Sequence, residues 1–231
     1  MKGGYRQPFT RNGLNPEIIK YLKGSRKTDE LISYYNNLVD QIFKEDSISD
    51  TLHDWTKNGP SYYGWKSVRY FLFEYELSLQ EKSKTDRAKI DWAAFSKEDF
   101  QSDYFTVEHI YPQRVRSPYW AERFGALSTL QKRLLRNSLG NLLALSAPKN
   151  ASLGNRPFPE KIGSTGTTVG YRFGSYSENE VSLSTDWTSD EIVERGIRML
   201  NFMEIRWRLN IGDRSQKIKA LGLQSILKRS T

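Results

Sequence analysis

The chain has no cysteine, so disulfides and thiolate-held zinc are excluded, and any metal must be held by oxygen or imidazole. Histidine is nearly as scarce: two in 231 residues, His53 and His109. No apolar run approaches the ~18 residues that a membrane span needs. No signal-peptide pattern follows Met1. No internal repeat and no low-complexity tract is present. These absences predict a folded protein of a reducing cytoplasm, without membrane association.

Charge is plentiful, and its distribution says more than its total of +8. Residues 105–175 carry ten Lys or Arg against three acids, Glu108, Glu122 and Glu160. Residues 1–104 balance to zero. A concentrated basic segment is the footprint of a polyanion partner, or else simply a solvated surface. Arg114, Arg116, Lys149 and Arg156 flank the central motifs and are the candidate phosphate contacts.

The patterning is mainly helical. Asn15-Pro16-Glu17 starts a helix that Gly24 ends, and Thr28-Asp29-Glu30 opens a second. Tyr62 to Leu79 reads as one aromatic-rich helix, whose rings are core by default and base-stacking surfaces by exception. A charged linker follows from Glu81 to Lys89. A β-rich run leads from Tyr104 to His109, and Asn141 to Leu145 forms a short apolar strand. Between them, Ser117 to Phe124 is irregular or briefly helical, and Leu127 to Leu135 is a basic amphipathic helix. Ser146-Ala147-Pro148 starts a short helix that carries Asn150 in its first turn. Alternation at Val169, Tyr171 and Phe173 predicts a loop and hairpin over 163–185. The capping box Thr188-Ser189-Asp190-Glu191 opens a long helix to about Leu209, and a basic helix runs from Gln216 to Arg229.

One stretch concentrates chemistry: Val107-Glu108-His109-Ile110-Tyr111-Pro112-Gln113. An imidazole is the side chain best suited to take a proton from water near neutrality. A carboxylate is a hard ligand for a divalent cation. Phosphodiester hydrolysis needs that base, positive charge on the phosphoryl and leaving oxygens, and an in-line nucleophile. His109 is the candidate base, Glu108 and Asn150 the candidate ligands for one Mg²⁺ or Mn²⁺, and Asn141 the residue that steadies the strand bearing His109. Neighbours on a regular strand point to opposite faces, so Glu108 and His109 converge only if the strand ends or twists there. The bland alternatives are a core histidine, a turn-capping Asn141 and an ordinary helix-start Asn150. His53 lies in a polar stretch without partners and reads as surface.

Strand, loop, strand and helix, with these residues in that order, resemble the ββα-metal (His-Me finger, HNH) nucleases. The resemblance sharpens at Glu108-His109-Ile110-Tyr111-Pro112-Gln113 and at Leu139-Gly140-Asn141-Leu142-Leu143-Ala144-Leu145. It extends through Lys149-Asn150-Ala151-Ser152-Leu153-Gly154-Asn155-Arg156-Pro157-Phe158, then Lys161, and Trp187 leading a helix past Arg195 to Trp207. Over about residues 60–210 the chain looks like the C-terminal nuclease domain of the GmrSD-type modification-dependent restriction endonucleases. Related domains occur in other bacterial phage-defence effectors.

The resemblance implies His109 as general base, Glu108 and Asn150 as metal ligands, and Asn141 as the central asparagine. Asn155 and Lys161 match later positions that contact phosphate or hold the loop, and Arg195 matches a helix arginine of open role. It also implies a DNA-nicking enzyme of the bacterial cytoplasm, leaving 5′ phosphate and 3′ hydroxyl ends, with double-strand breaks requiring two events or a dimer. Full-length members usually carry an N-terminal nucleotide-binding, ParB-like domain. No Asp-Gly-Gln-Gln-Arg run or Gly-x-x-x-x-Gly-Lys loop occurs here, so sensing is expected on a separate domain or subunit. The expected fold is α+β, mainly helical: a helical subdomain over 1–100, a ββα-metal core over 101–175 and a helical region over 176–231. The rival functions are a nucleic-acid-binding module with a degenerate site and an RNase.

Overall fold

The computed structural model describes residues 9–10, 13–14, 16–44, 56, 61–84, 87–90, 106–163, 166 and 168–227. The expectations for His53 and for Tyr104-Phe105 at the start of the β-rich run lie outside these. The described residues are mainly helical, with two small two-stranded sheets, an α+β arrangement. The chain divides into two compact units, residues 1–47 and 48–231.

In the first unit β1 (Phe9–Thr10) pairs antiparallel with β2 (Gly13–Leu14). Helix α1 (Pro16–Leu22) has proline at its first position, where a missing N–H costs nothing. It ends before Gly24, whose φ of +72° suits the reversal into α2 (Thr28–Lys44). Glu17 ties the turn by ion pairs to Lys20 and Arg26.

The second unit is built around one antiparallel pair, β3 (Thr106–His109) and β4 (Leu142–Leu145). The register sets Glu108 opposite Leu143 and His109 opposite Leu142. All four residues of β4 are buried, which its uninterrupted apolar sequence permits. Between the strands lie α4 (Pro118–Phe124), capped by Ser117, and α5 (Thr129–Asn137), opened by a capping box of Ser128 and Gln131. A 3-10 turn, Leu139–Asn141, then leads into β4, and α6 (Ala147–Leu153) follows it.

Helix α9 (Ser189–Trp207) packs directly on that 3-10 turn. Gly140 is there because nothing larger fits: a Cβ would sit 2.0 Å from the carbonyl oxygen of Ile192. Helix α3 (Val68–Lys82) buries Phe71 against Trp207 and Phe202, with ring centroids 5.9 and 5.7 Å away. Its buried Glu76 accepts hydrogen bonds from the N–H groups of Tyr176 and Ser177, capping α8 (Tyr176–Ser182) from outside.

Three expectations are corrected. The helix read from Tyr62 to Leu79 is two elements, a 3-10 turn Ser61–Gly64 and α3, separated at Trp65–Ser67. The 163–185 region holds no hairpin among its described residues, but a 3-10 turn Tyr171–Phe173 and α8. A second capping box, Ser175 with Glu178, starts α8 and outweighs the weak alternation before it. The tail is two short helices, α10 (Arg214–Ala220) and α11 (Gln224–Leu227), broken at Gly222 with φ of +72°. Another short helix, α7 (Phe158–Ile162), follows α6 despite its prolines, because Pro159 falls in its first turn. No described helix is long and apolar enough to cross a membrane.

Candidate active site

β3 stops at His109, and the chain bends at Ile110 and Tyr111 before Pro112. Glu108 and His109 are the last two residues of the strand and are both still paired with β4. Glu108 and His109 both line one cavity of about 250 Å³, together with Asn150 from α6, Asn155, Gln113 and Tyr63.

Asn141 makes the bend. Its Oδ1 accepts from the Tyr111 N–H at 2.7 Å and from Trp187 Nε1 at 3.1 Å. Its Nδ2 donates to the carbonyls of Tyr111, at 3.0 Å, and Arg136, at 2.9 Å. The side chain is fully buried, so it orients backbone and does not reach the cavity. Arg195 is equally buried and underpins the other strand: its Nη1 donates to the carbonyls of Gly140 and Leu142, and its Nε to Glu180. The arginine of open role is therefore a tie between α9, α8 and the start of β4.

His109 is largely buried beneath Tyr63, whose ring centroid lies 4.3 Å from the imidazole. Nε2 lies 3.3 Å from Asn137 Oδ1 and 3.4 Å from Gln113 Nε2. Asn137 Oδ1 can only accept and favours the tautomer with Nε2 protonated, whereas Gln113 Nε2 can only donate and favours the one with Nε2 bare; with Nε2–H on Asn137, the nearer of the two, the Nδ1 lone pair is the one that accepts. Burial holds the imidazole down to about 4; the Asn137 contact opposes this, and the charges of Lys161 and Arg136 add to it. At neutral pH the ring is uncharged and can accept a proton.

Glu108 is buried against two partners on one oxygen. Oε1 accepts from Lys161 Nζ at 2.5 Å and from Tyr171 Oη at 3.1 Å. Lys161 Nζ also contacts the carbonyls of His109, at 3.3 Å, and Ile110, at 3.1 Å. Burial pushes the Glu108 carboxyl up and the Lys161 ammonium down, and each opposes the shift of the other. Asn150 Nδ2 donates to Thr106 Oγ1 at 3.0 Å, which turns its carbonyl oxygen into the remaining acceptor. A carboxylate oxygen and an amide oxygen on one polar cavity suit a hard cation that keeps most of its waters, as Mg²⁺ does. Among the described residues no group of three or more His, Asp or Glu forms a fuller cage.

The expected phosphate contacts separate into two kinds. Arg114, Arg116 and Arg156 are exposed, and Asn155 lines the cavity. Lys149 is ion-paired with the buried Glu178, and Lys161 is fully buried on Glu108. Asn137, Tyr171 and Tyr63 were not assigned roles from the sequence. Nothing within a few residues of any of them signals a partner 28 to 63 positions away. No curated protein and no solved structure matches the chain. Residues 45–202 match the family model described as GmrSD restriction endonucleases, C-terminal domain; with well over half its length so matched, the chain belongs to that family of restriction nucleases.

Proposed function

We propose that the chain is a metal-dependent DNA endonuclease of the ββα-metal type that nicks duplex DNA in bacterial restriction or phage defence. The single observation that carries this is the convergence of His109, Glu108 and Asn150 on one cavity. The chain order β3, β4, α6, with the histidine ending β3 and Asn150 on α6, supports the ββα assignment. Residues 101–175 would be the nuclease core, with helical regions over 1–100 and 176–231.

In this reading His109 Nδ1 takes the proton of the attacking water while Asn137 holds Nε2. The nearby charges of Lys161 and Arg136 disfavour a lasting imidazolium, so the proton is readily passed on. Glu108 Oε2 and the Asn150 amide oxygen would hold the divalent ion. When bound, that ion supplies positive charge to the phosphoryl oxygens and to the leaving 3′ oxygen. Lys161 and Tyr171 fix Glu108 through its other oxygen, and so position the ligand rather than touch DNA. Asn141 acts one step further back, through the backbone of Tyr111. Arg114, Arg116 and Arg156 are exposed to meet the DNA backbone. Recognition of modified DNA, and any nucleotide control, belong on a separate domain or subunit. Weak sequence preference is expected.

The test is nicking of supercoiled plasmid by wild type and His109→Ala in Mg²⁺, Mn²⁺ and EDTA. Metal-dependent open circles from wild type alone support the proposal, as do 5′ phosphate and 3′ hydroxyl ends. Equal nicking by both proteins sinks it. Single-stranded RNA offered in competition separates an RNase. One observation favours a second reading, a DNA-binding module with an inactive site: the Lys161 ammonium already neutralises Glu108. Salt-sensitive DNA binding without cleavage in any metal would select it.

A further inference from the structure

We propose that Tyr63 contacts the substrate directly, stacking on a nucleobase of the strand whose phosphate enters the cavity beside His109. This rests on the nuclease reading for the phosphate, but its test requires no cleavage.

The aromatic run from Tyr62 to Tyr75 is sorted by the fold. Tyr62 is buried and donates to the carbonyl of Ala220 at 2.8 Å, while Phe71, Phe73 and Tyr75 enter the core. Tyr63, the next residue along the 3-10 turn, remains 42% exposed. Its ring meets the imidazole of His109 at 58° and lines the cavity with Glu108 and Asn150. Among the described residues it is, apart from that imidazole, the only aromatic ring in the lining. A ring that rests on the proposed base and keeps 42% of its surface open adds less to the core than its buried neighbours. It is well placed as a platform, because the buried Tyr62 anchors the turn that presents it. The exposed Arg114 and Arg116 follow the lining residue Gln113, and the exposed Arg156 follows Asn155. Aromatic rings beside backbone-binding cations are how single strands are held, and stacking tolerates any base. The contact therefore favours an unpaired or splayed nucleotide over one stacked in a duplex.

The test uses the 231-residue chain in EDTA, with two fluorescein-labelled single strands of about twelve nucleotides. One is oligo-dT; the other has the same phosphates but abasic sugars. Wild type should bind the base-bearing strand about 5- to 150-fold more tightly, the range expected for one base–aromatic stack. Tyr63→Phe and Tyr63→Trp should keep that preference, and Tyr63→Ala should lose it. A wild type that binds both strands equally would overturn the proposal. So would a Tyr63→Ala protein that keeps the preference, even if its nicking slowed, since the ring would then serve only to hold His109. Plasmid nicking by wild type is scored separately, so an inactive site with an intact base preference refutes the nuclease and not the platform.

Discussion

Asn141 spends its side chain on the two backbone groups of a single residue: the N–H of Tyr111 donates to its Oδ1, and its Nδ2 donates to the carbonyl of Tyr111. The amide thus copies a strand pairing just where the strand has ended. Replacing it leaves buried donors and acceptors of Tyr111, Arg136 and Trp187 without partners. Each costs about 1–3 kcal/mol, so Asn141→Ala should destabilise the protein by about 3 kcal/mol or more. Urea unfolding measures this. A loss under about 1 kcal/mol would show that the bend holds without the amide.

Lys161 and Glu108 form a buried pair, and removing one leaves the other charge uncompensated. Lys161→Met should cost about 3–5 kcal/mol. Adding Glu108→Gln should return much of that loss, because the orphaned carboxylate is its source. A double-mutant cycle by chemical denaturation reads the coupling, and additive losses would contradict it.

Asn137 is argued to hold the tautomer of His109. Asn137→Ala should slow nicking about 10- to 100-fold, in keeping with loss of a partner that orients a catalytic imidazole. The midpoint of unfolding should move little, because Asn137 is only partly buried. Single-turnover nicking beside a thermal melt separates the two effects. An unchanged rate would free the imidazole from Asn137.

Burial pushes the Glu180 carboxyl up, but Arg195 and Arg198 outweigh it and hold it below its usual value near 4.5. A carboxyl depressed on folding contributes stability above its unfolded pKa and loses it as pH falls through the folded value. The difference in melting temperature between wild type and Glu180→Gln should therefore be constant near neutrality and shrink below about pH 4.5. A pH-independent difference would mean that the carboxylate charge does not carry the tie to Arg195.

Much of this was legible in the residues themselves. Pro16, the capping boxes at Thr188 and Ser175, and the glycines at positive φ act within four positions of the chain, so local sequence determines where helices begin and end. The hairpin expected over 163–185 failed because alternation at three residues was weighed above the Ser175–Glu178 cap, a signal equally local. The words around His109, Asn141 and Asn150 likewise pointed to the family, and of the residues in them Glu108, His109, Asn150 and Asn155 line one cavity while Asn141 lies behind it. What only the tertiary structure decided were the partners. Lys161 was expected to contact phosphate or hold the loop, and only the fold brings it 2.5 Å from a carboxylate 53 residues earlier. Gly140 looks like a turn residue until α9 lies against it. Tyr62 and Tyr63 are the same side chain in adjacent positions, yet one is core and the other open at the cavity. Burial and pairing depend on which surfaces pack, and no short-range pattern encodes contacts between elements so distant in the chain.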